Sequence, residues 1–369
     1  MFRYATQKGY TKRIPAPANP TFQPSHYFVK KSPGCSHSTD VESYVCREPL
    51  GEQIRALNIS DRISVVTFNL LSGTFSDFSK TKSIIPTGES NPAVCQEHEP
   101  VRWQQTLDVL ESYMKGDYVI CLQEANFKVR MNAMLHELFD RYAYTAVMTN
   151  YGCIKNAGQL YHGFLGVGVL VPPTLKLVNY STPFFTTHTG MKDRKVTVVE
   201  LRDCKGRHVV VSSVHVPCMY QDPKLMSQFV REIATTVKTT MESWCRPGDT
   251  MPYIVAGDWN MNYWDGKELA QLGLQAAHRF CAANYTNFGC KVVDGDIKTT
   301  FYMLDYCFYS KGFKAVQAAE LATIPDEPGF YLPNLEFPSD HLPIEATFTL
   351  ADPEGQSCLE ALTDRLLSA

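Results

Sequence analysis

Residues 253–260 read YIVAGDWN, an apolar run that passes directly into the polar sequence Gly-Asp-Trp-Asn. A short apolar run that contains β-branched residues and ends in glycine is typical of a buried strand. Asp258 and Asn260 would then follow the carboxyl end of a strand, where α/β sheets tend to bind ligands. An ordinary turn also accounts for Gly257-Asp258, so this stretch is informative only together with others like it.

Five more predicted strands carry polar residues at or next to an end. In chain order these residues are Asn69, Glu124, His215, Asp305 and the adjacent pair Asp340 and His341. Each one alone has a simpler explanation, such as a turn cap, a surface carboxylate or a buried core histidine. Six such positions in strands that are otherwise apolar indicate one shared site at one rim of the sheets.

The residue types in this set suit the hydrolysis of a phosphoester. Carboxylate oxygens are hard ligands of the kind that Mg²⁺ prefers, and an asparagine amide can hold a water or a phosphate oxygen. A histidine that is oriented by a carboxylate can donate a charge-assisted hydrogen bond to a phosphoryl group. No serine or cysteine nucleophile with a local base is recognisable, so attack by an activated water is preferred over a covalent route.

The rest of the chain is predicted to form a single α/β domain over residues 61–350. Apolar residues recur at helical spacing after Pro100, and further helices are predicted for 127–139 and 224–244. Additional strands are predicted for 63–68, 118–122, 166–171, 196–201, 208–214, 304–309 and 344–350. The absence of a linker or an internal repeat between these elements favours one catalytic domain.

Two segments flank this domain. Residues 1–60 contain several prolines, are basic and carry no acidic residue through Thr39. We expect a flexible extension here, with a mitochondrial presequence or an arm that helps to hold RNA as alternatives; the prolines oppose the amphipathic helix of a presequence. Residues 351–369 form a tail whose spaced leucines suggest a helix.

Composition narrows the range of partners and compartments. The formal net charge of the 369 residues is −3, whereas a protein that grips long duplexes through phosphates is usually basic. Any contact with nucleic acid should therefore be a local groove. The 12 cysteines form no C-x-x-C pair, no apolar run reaches membrane-spanning length and no signal-peptide core follows Met1. We expect no membrane contact and a cytoplasmic location, with mitochondria or the nucleus as alternatives.

The ordered set of motifs resembles the endonuclease/exonuclease/phosphatase superfamily, which shares the deoxyribonuclease I fold. The motifs are Asn69, Gln123-Glu124, His215-Val216, Gly257-Asp258-Trp259-Asn260, Leu304-Asp305-Tyr306 and Ser339-Asp340-His341. Each piece is short, but six in the same order over residues 61–350 are specific. The resemblance implies a four-layered α/β sandwich, in which two packed mixed β-sheets are flanked by helices.

The resemblance also implies a role for each residue on the metal side. Glu124 would be the main ligand of a Mg²⁺ ion, for which Mn²⁺ substitutes. Asn69 would lie beside the ion and its waters, and Asp340 would help to position it.

On the phosphate side the resemblance implies five catalytic residues. Asp258 would orient or deprotonate the attacking water, and Asn260 would hold a phosphate oxygen. His341 would contact the scissile phosphate, with Asp305 fixing its ring in the protonated form. His215 would be a second histidine that binds the phosphate.

Within the superfamily, residues 67–71, 304–310 and 332–343 are similar to segments of the poly(A) deadenylase and nocturnin-like branch. This similarity implies a 3′-exoribonuclease that acts on single-stranded RNA. Other phosphoester hydrolases of the superfamily remain alternatives, namely a 2′,5′-phosphodiesterase, a nucleotide phosphatase or a DNA-processing nuclease. A non-catalytic binding protein is disfavoured because the acidic residues are all present.

Two stretches depart from that branch. After Asn260 the chain continues with Met-Asn-Tyr-Trp where the deadenylases have Ser-x-Pro, and residues 292–296 are also unusual. Tyr263 and Trp264 are candidate substrate-binding residues because aromatic faces stack on the bases of single strands. Packing within the loop is the alternative for both.

Overall fold

The structure is a computed structural model that describes most of the chain. The described residues are 28–29, 44–45, 61–71, 84–94, 99–126, 129–151, 154–156, 159–161, 165–185, 195–216, 223–245, 251–261, 270, 272–279, 281–327 and 329–351. Tyr263, Trp264 and the predicted helix of the C-terminal tail lie outside these residues.

The strands and helices are numbered in chain order. The strands are β1 (Phe28–Val29), β2 (Tyr44–Val45), β3 (Arg62–Asn69), β4 (Val119–Asn126), β5 (Thr145–Tyr151), β6 (Ile154–Asn156), β7 (Gln159–Tyr161), β8 (Leu165–Val171), β9 (Lys176–Ser181), β10 (Thr197–Arg202), β11 (His208–His215), β12 (Tyr253–Asp258), β13 (Leu274–Ala276), β14 (Asn287–Val293), β15 (Asp296–Tyr302), β16 (Asp305–Ser310), β17 (Phe313–Ala318) and β18 (Ile344–Leu350). The helices are α1 (Glu99–Lys115), α2 (Val129–Tyr142) and α3 (Pro223–Glu242), and a short 3-10 helix covers Pro92–Val94.

Two mixed sheets form the centre of the molecule. The first has the strand order β1-β2-β5-β8-β4-β3-β18-β17, and the second has the order β13-β16-β12-β11-β10-β9. Among the described strands, each sheet contains one parallel pair, β3 with β4 and β11 with β12. Parallel neighbours end at the same edge of a sheet, so each pair delivers two carboxyl-terminal residues to one place. Asn69 pairs in register with Gln123, and His215 pairs with Asp258.

Strand alternation divides the core into layers. Along β3, Val65 belongs to the apolar cluster between the two sheets, whereas Val66 and Phe68 contact helices α1 and α2 on the outer face. Helix α3 covers the outer face of the second sheet with Phe229 and Ile233. Successive side chains of a strand point to opposite faces, and each buried aliphatic side chain contributes about 1.5–3 kcal/mol. The predicted four-layered α/β sandwich is therefore confirmed.

The largest unpredicted feature is the hairpin of β14 and β15. Its turn residues Asp294 and Gly295 have φ values of 55° and 85°, the left-handed conformation that a two-residue type I′ turn requires. On one face Phe288 and Cys290 are buried in a small apolar cluster with Leu332. The unusual stretch 292–296 is thus the tip of a hairpin that leaves the core just before Asp305.

One edge of the first sheet includes a strand from the predicted N-terminal extension. Strand β2 from the N-terminal extension pairs antiparallel with β5, with Tyr44 opposite Met148. The flexibility of residues 1–60 as a whole stays a prediction. In the described part of the chain, no helix combines the length and apolar character needed to cross a membrane.

Candidate active site

Asn69 joins the two sheets at the rim where their parallel pairs end. Its amide nitrogen Nδ2 donates to Oδ2 of Asp258 at 2.9 Å and lies 3.3 Å from Oε1 of Glu124. Its Oδ1 accepts from the backbone N–H of Leu71 at 3.0 Å, which fixes the orientation of the amide. Asn69 is fully buried, so its bonds are not weakened by competing water. One amide therefore connects the predicted metal ligand with the predicted base.

Glu124 reaches this rim through an irregularity in β4. The pairing of β4 with β8 shifts register between Leu122 and Ala125, and Glu124 has a φ of 51°. A bulge re-aims a side chain, and a non-glycine residue at positive φ costs about 1–3 kcal/mol and is typical of functional sites. Glu124 is 6% exposed. The bulge explains how a residue inside a strand comes to face the site.

Asp258 accepts hydrogen bonds on both oxygens. Oδ1 accepts from the backbone N–H of Asn260 at 2.8 Å, and Asn260 Nδ2 lies 3.3 Å from Oδ2. The same Oδ2 lies 3.5 Å from Nε2 of His215 and 3.8 Å from Nε2 of His341. Burial raises the pKa of Asp258 to about 7, although the neighbouring His341 opposes this shift. A carboxylate with a pKa near neutrality is suited to take a proton from water.

Asn260 is held in a strained backbone conformation next to Asp258. It has a φ of 48°, and its Nδ2 donates to the backbone oxygen of Val216 at 2.8 Å. The short loop after β12 thereby returns over the end of β11. A second positive φ at a predicted site residue again indicates a backbone arranged for function.

His341 and Asp305 form a buried pair. Nδ1 of His341 lies 2.8 Å from Oδ2 of Asp305, and a ring nitrogen beside a carboxylate carries a proton and donates it in the bond. Burial alone would lower the pKa of His341, but three surrounding carboxylates, that of Asp305 foremost, raise it to about 10. The imidazolium is therefore the stable form at neutral pH, with Nε2 directed towards Asp258.

Asp340 is positioned by two residues to which the sequence analysis gave no role. Asn287 at the start of β14 places Nδ2 3.2 Å from Oδ2 of Asp340. Ser339 donates from Oγ to the backbone oxygen of Asn69 at 2.7 Å and accepts from the N–H of His341 at 3.1 Å. The segment that carries Asp340 and His341 is thereby tied to the end of β3.

Thr286 and Asn287 were missed because the hairpin was not predicted. Thr286 Oγ1 accepts from the backbone N–H groups of Leu304 and Asp305, both at 3.0 Å. The sequence does contain a signal for the hairpin: an Asp-Gly pair separates two runs of strand-forming residues. The Thr-Asn pair stands at the start of the first run. Beneath the site, Gln123 Nε2 donates to Ser213 Oγ at 3.0 Å and links the two sheets a second time.

The donor chemistry of the site fits a divalent cation. Glu124, Asp258, Asp305 and Asp340 are all buried, and carboxylates are the preferred ligands of Mg²⁺. Asp258, Asp305 and His341 offer ligand atoms that all lie within 4.8 Å of one another and can hold a metal ion. However, the ring nitrogen Nδ1 of His341 is already engaged by Asp305. We therefore retain Glu124 with its neighbours as the preferred metal side.

The structure brings together the residues of both predicted groups. Hydrogen bonds or ion pairs connect Asn69, Glu124, His215, Asp258, Asn260, Asp305 and His341. Asp340 lies between Ser339, which bonds to the backbone of Asn69, and His341. Their individual roles remain predictions.

Comparison with known proteins agrees with this geometry. The sequence model of the Endonuclease/Exonuclease/phosphatase family matches residues 66–341. A search of curated proteins finds no match.

Solved structures are similar in fold. ANGEL2, a 2′,3′-cyclic phosphatase solved with adenosine-2′,3′-vanadate, is 16% identical with a TM-score of 0.59, covering 78% of this chain and 96% of its own. The human Nocturnin catalytic domain with a bound sulfate anion is 18% identical with a TM-score of 0.54, covering 79% and 94%. TDP2 from Caenorhabditis elegans is 16% identical with a TM-score of 0.51, covering 79% and 74%. At these identities the likeness establishes the fold alone.

Proposed function

Because the chain belongs to the endonuclease/exonuclease/phosphatase family and is a metal-dependent hydrolase, we propose that it is a Mg²⁺-dependent 3′-exoribonuclease acting on single-stranded RNA. The observation that carries the proposal is the position of Asn69 between Glu124 and Asp258. That amide joins a carboxylate suited to a hard cation with a carboxylate suited to accept a proton. The two functions needed to hydrolyse a phosphodiester therefore meet at one buried point.

Asp258 acts on the nucleophile in this mechanism. It accepts a proton from a water molecule as the water oxygen bonds to phosphorus and the bond from phosphorus to the leaving sugar oxygen breaks. The sugar oxygen leaves with the bonding electron pair and takes a proton from solvent. Its raised pKa brings it close to the pH of the reaction, where a general base is most effective. Asn260 and Asn69 hold the carboxylate through three N–H donors.

His341 acts on the phosphoryl oxygens. As an imidazolium it donates a charge-assisted hydrogen bond to an oxygen that gains negative charge in the transition state. Asp305 acts through the histidine, because its carboxylate holds Nδ1 and favours the protonated ring. His215, which is in register with Asp258 on the neighbouring strand, would contact the same phosphate.

Glu124, Asn69 and Asp340 would hold the magnesium ion. When bound, such an ion polarises a phosphoryl oxygen and offsets negative charge in the transition state. Asn287 would orient Asp340 towards that site.

RNA is proposed as the substrate because residues 67–71, 304–310 and 332–343 are similar to segments of the poly(A) deadenylase and nocturnin-like branch. Poly(A) is a plausible substrate on the same ground, and Tyr263 and Trp264 are proposed to stack on its bases. A cytoplasmic location is also proposed, since cysteines in the described part of the chain are free thiols.

An activity panel tests the proposal. Labelled RNA homopolymers, single- and double-stranded DNA, 2′,5′-oligoadenylate and NADPH would each be incubated with Mg²⁺ and with wild-type or Glu124→Gln protein. We expect stepwise shortening of single-stranded RNA from the 3′ end by the wild type only. Preferred turnover of NADPH, 2′,5′-oligoadenylate or DNA would assign the site to another phosphoester and reject the RNA proposal.

A further inference from the structure

The β14–β15 hairpin has one face that begins at the active site. Side chains alternate along a strand, so Asn287, Gly289 and Lys291 share one face of β14 while Phe288 and Cys290 share the other. The face that carries Phe288 and Cys290 points into the protein, since these residues are 3% and 1% exposed. The face that carries Asn287 meets the active site, since Asn287 hydrogen-bonds to Asp340. A line along this face therefore leads from the catalytic carboxylates outwards along the hairpin.

Two lysines stand opposite each other on that face. Lys291 of β14 pairs in register with Lys298 of β15, and both side chains are exposed. Like charges directly opposite each other across a ladder destabilise it. Among the described residues no ion pair within 4 Å involves either lysine, and Asp296 on the same face stands nearer the turn. A ligand with negative charge would relieve the repulsion between the two ammonium groups.

Gly289 and Thr300 lie on this face between the lysines and the site. Gly289 lies opposite Thr300 there, and a Cβ atom at Gly289 would come within 2.8 Å of the Thr300 hydroxyl and 3.7 Å of the Tyr302 ring. Four residues of extended strand separate Asn287 from Lys291, a distance of about 13 Å. That distance spans a few nucleotides of a single strand, and the Thr300 hydroxyl and the Tyr302 ring line the path.

We propose that Lys291 and Lys298 form a second phosphate-binding site, which holds the backbone of a single-stranded nucleic acid a few nucleotides from the scissile phosphate. The inference deepens the proposed function and rests on it. An ammonium group binds a phosphate as a point charge, and it does so without reading sequence. With a net charge of −3, the chain needs such a local cationic site to hold a polyanion. A substrate with a single phosphodiester is too short to reach it.

The test compares a long and a short ligand with a neutralised hairpin. Binding of an oligoribonucleotide of about 20 nucleotides and of a dinucleotide would be measured over a series of salt concentrations, for wild type and for Lys291→Gln/Lys298→Gln. Fluorescence anisotropy in EDTA gives Kd for the labelled oligonucleotide without turnover, and the dinucleotide would be measured by competition. Rates with Mg²⁺ would be measured in parallel. Lys311→Gln/Lys314→Gln is the matched control, because it also removes two positive charges and both lysines are exposed at or just before the start of edge strand β17, which pairs with the end of β18 remote from Asp340.

We expect the double variant to weaken oligonucleotide binding by roughly tenfold at low salt and to reduce the salt slope of log Kd by about 1. Dinucleotide binding and the control variant should match wild type. Thermal unfolding of the double variant should be unchanged or shifted upwards, because the like-charge repulsion is gone.

An unchanged oligonucleotide Kd and salt slope in the double variant, or an equal loss for both ligands, would overturn the inference. If wild type hydrolyses no phosphodiester but the double variant still loses the salt-dependent binding of the long strand, the lysine site stands and the proposed function fails. Normal turnover with length-independent binding would instead reject the lysine site and leave the proposed function in place.

Discussion

His341 and Asp305 act as one unit if the buried pair works as its geometry indicates. Oδ2 of Asp305 lies 2.8 Å from Nδ1 of His341, so Asp305 would act on the phosphate through the ring that it orients. Replacing His341 with Ala should lower kcat by roughly 10²- to 10⁴-fold, the scale of losing an acid–base or electrostatic group. A His341→Ala, Asp305→Ala double variant should be little slower than His341→Ala alone, because the effects of residues that serve one step do not add.

The measurement is kcat for the two single variants and the double variant at saturating Mg²⁺. Circular dichroism of each variant confirms the fold. If the two losses multiply fully, Asp305 has an independent role and the pair does not act as a unit.

The pKa values of Asp258 and His341 predict the pH dependence of the reaction. Asp258 must be deprotonated, so the rate should rise with pH through about 7; His341 must be protonated, so it should fall through about 10. Asp305→Asn removes the carboxylate that most raises the pKa of His341. The alkaline limb of kcat/KM should therefore move to lower pH in that variant. An alkaline limb that stays in place would show that another group titrates there.

At the residue scale the sequence was informative because catalytic side chains are polar residues in apolar surroundings. Asn69, Glu124 and Asp258 were all identified as polar interruptions of apolar strands, and the structure places them in contact. Which atoms meet could not be predicted. The strained backbone of Glu124 and Asn260 is set by tertiary contacts rather than by local propensity.

Strand β4 shows what local propensity misses at the scale of an element. Residues 118–122 were predicted as the whole strand, but the strand continues to Asn126 beyond the irregularity at Glu124. Similarly, position 257 requires glycine, because a Cβ atom there would lie 2.1 Å from the backbone oxygen of Val214. Both features depend on the adjacent strand, which no local pattern specifies.

The β14–β15 hairpin was missed because its outer half alternates weakly. Lys291 and Val292 are both exposed, and Gly289 interrupts the strand. The Asp-Gly turn between two seven-residue strands was the one signal of its presence.

We propose that the hairpin supports metal binding through Asn287, which orients Asp340. Replacing Asn287 with Ala removes the amide that orients Asp340, so the Mg²⁺ concentration for half-maximal activity should rise by roughly 10- to 100-fold, as for other residues that orient ligands. The rate at saturating Mg²⁺ should change less. A magnesium titration of activity measures both. Asn284→Ala is the control, because Asn284 bonds to the backbone of Cys281 and Ala322 near the hairpin. An identical magnesium requirement in both variants would remove Asn287 from the metal side.

At the scale of the whole molecule, the parallel pairs β3–β4 and β11–β12 bring the site together. Each pair belongs to a strand–helix–strand unit, β3-α1-β4 and β11-α3-β12, and both helices are among the elements predicted from the sequence, so chain order indicates these parallel neighbours. Chain order does not reveal how the two sheets pack against each other. The family resemblance supplied that information, and the two sheets have the predicted layered arrangement.

The catalytic domain should not depend on residues 1–56. A chain that begins at Leu57 loses β1 and β2 at the edge of the first sheet and retains both parallel pairs and all predicted site residues. We expect it to stay folded and to keep its chemistry, with Tm lowered by at most a few degrees. Calorimetry and a kcat measurement check this. Loss of solubility would instead show that the extension docks on the domain and protects the edge of β5.

The central claim is that the buried carboxylates and histidines form a metal-dependent phosphodiesterase site. Its most direct test is the rate of single-stranded RNA hydrolysis by wild type and Glu124→Gln, each after EDTA treatment and after adding back Mg²⁺ or Mn²⁺. Wild-type activity should vanish in EDTA and return with either ion. Glu124→Gln should remain roughly 10²-fold slower, because a charged ligand oxygen is lost while the fold is kept. Full wild-type activity in chelator, or a Glu124→Gln protein with normal rate and metal requirement, would contradict the claim.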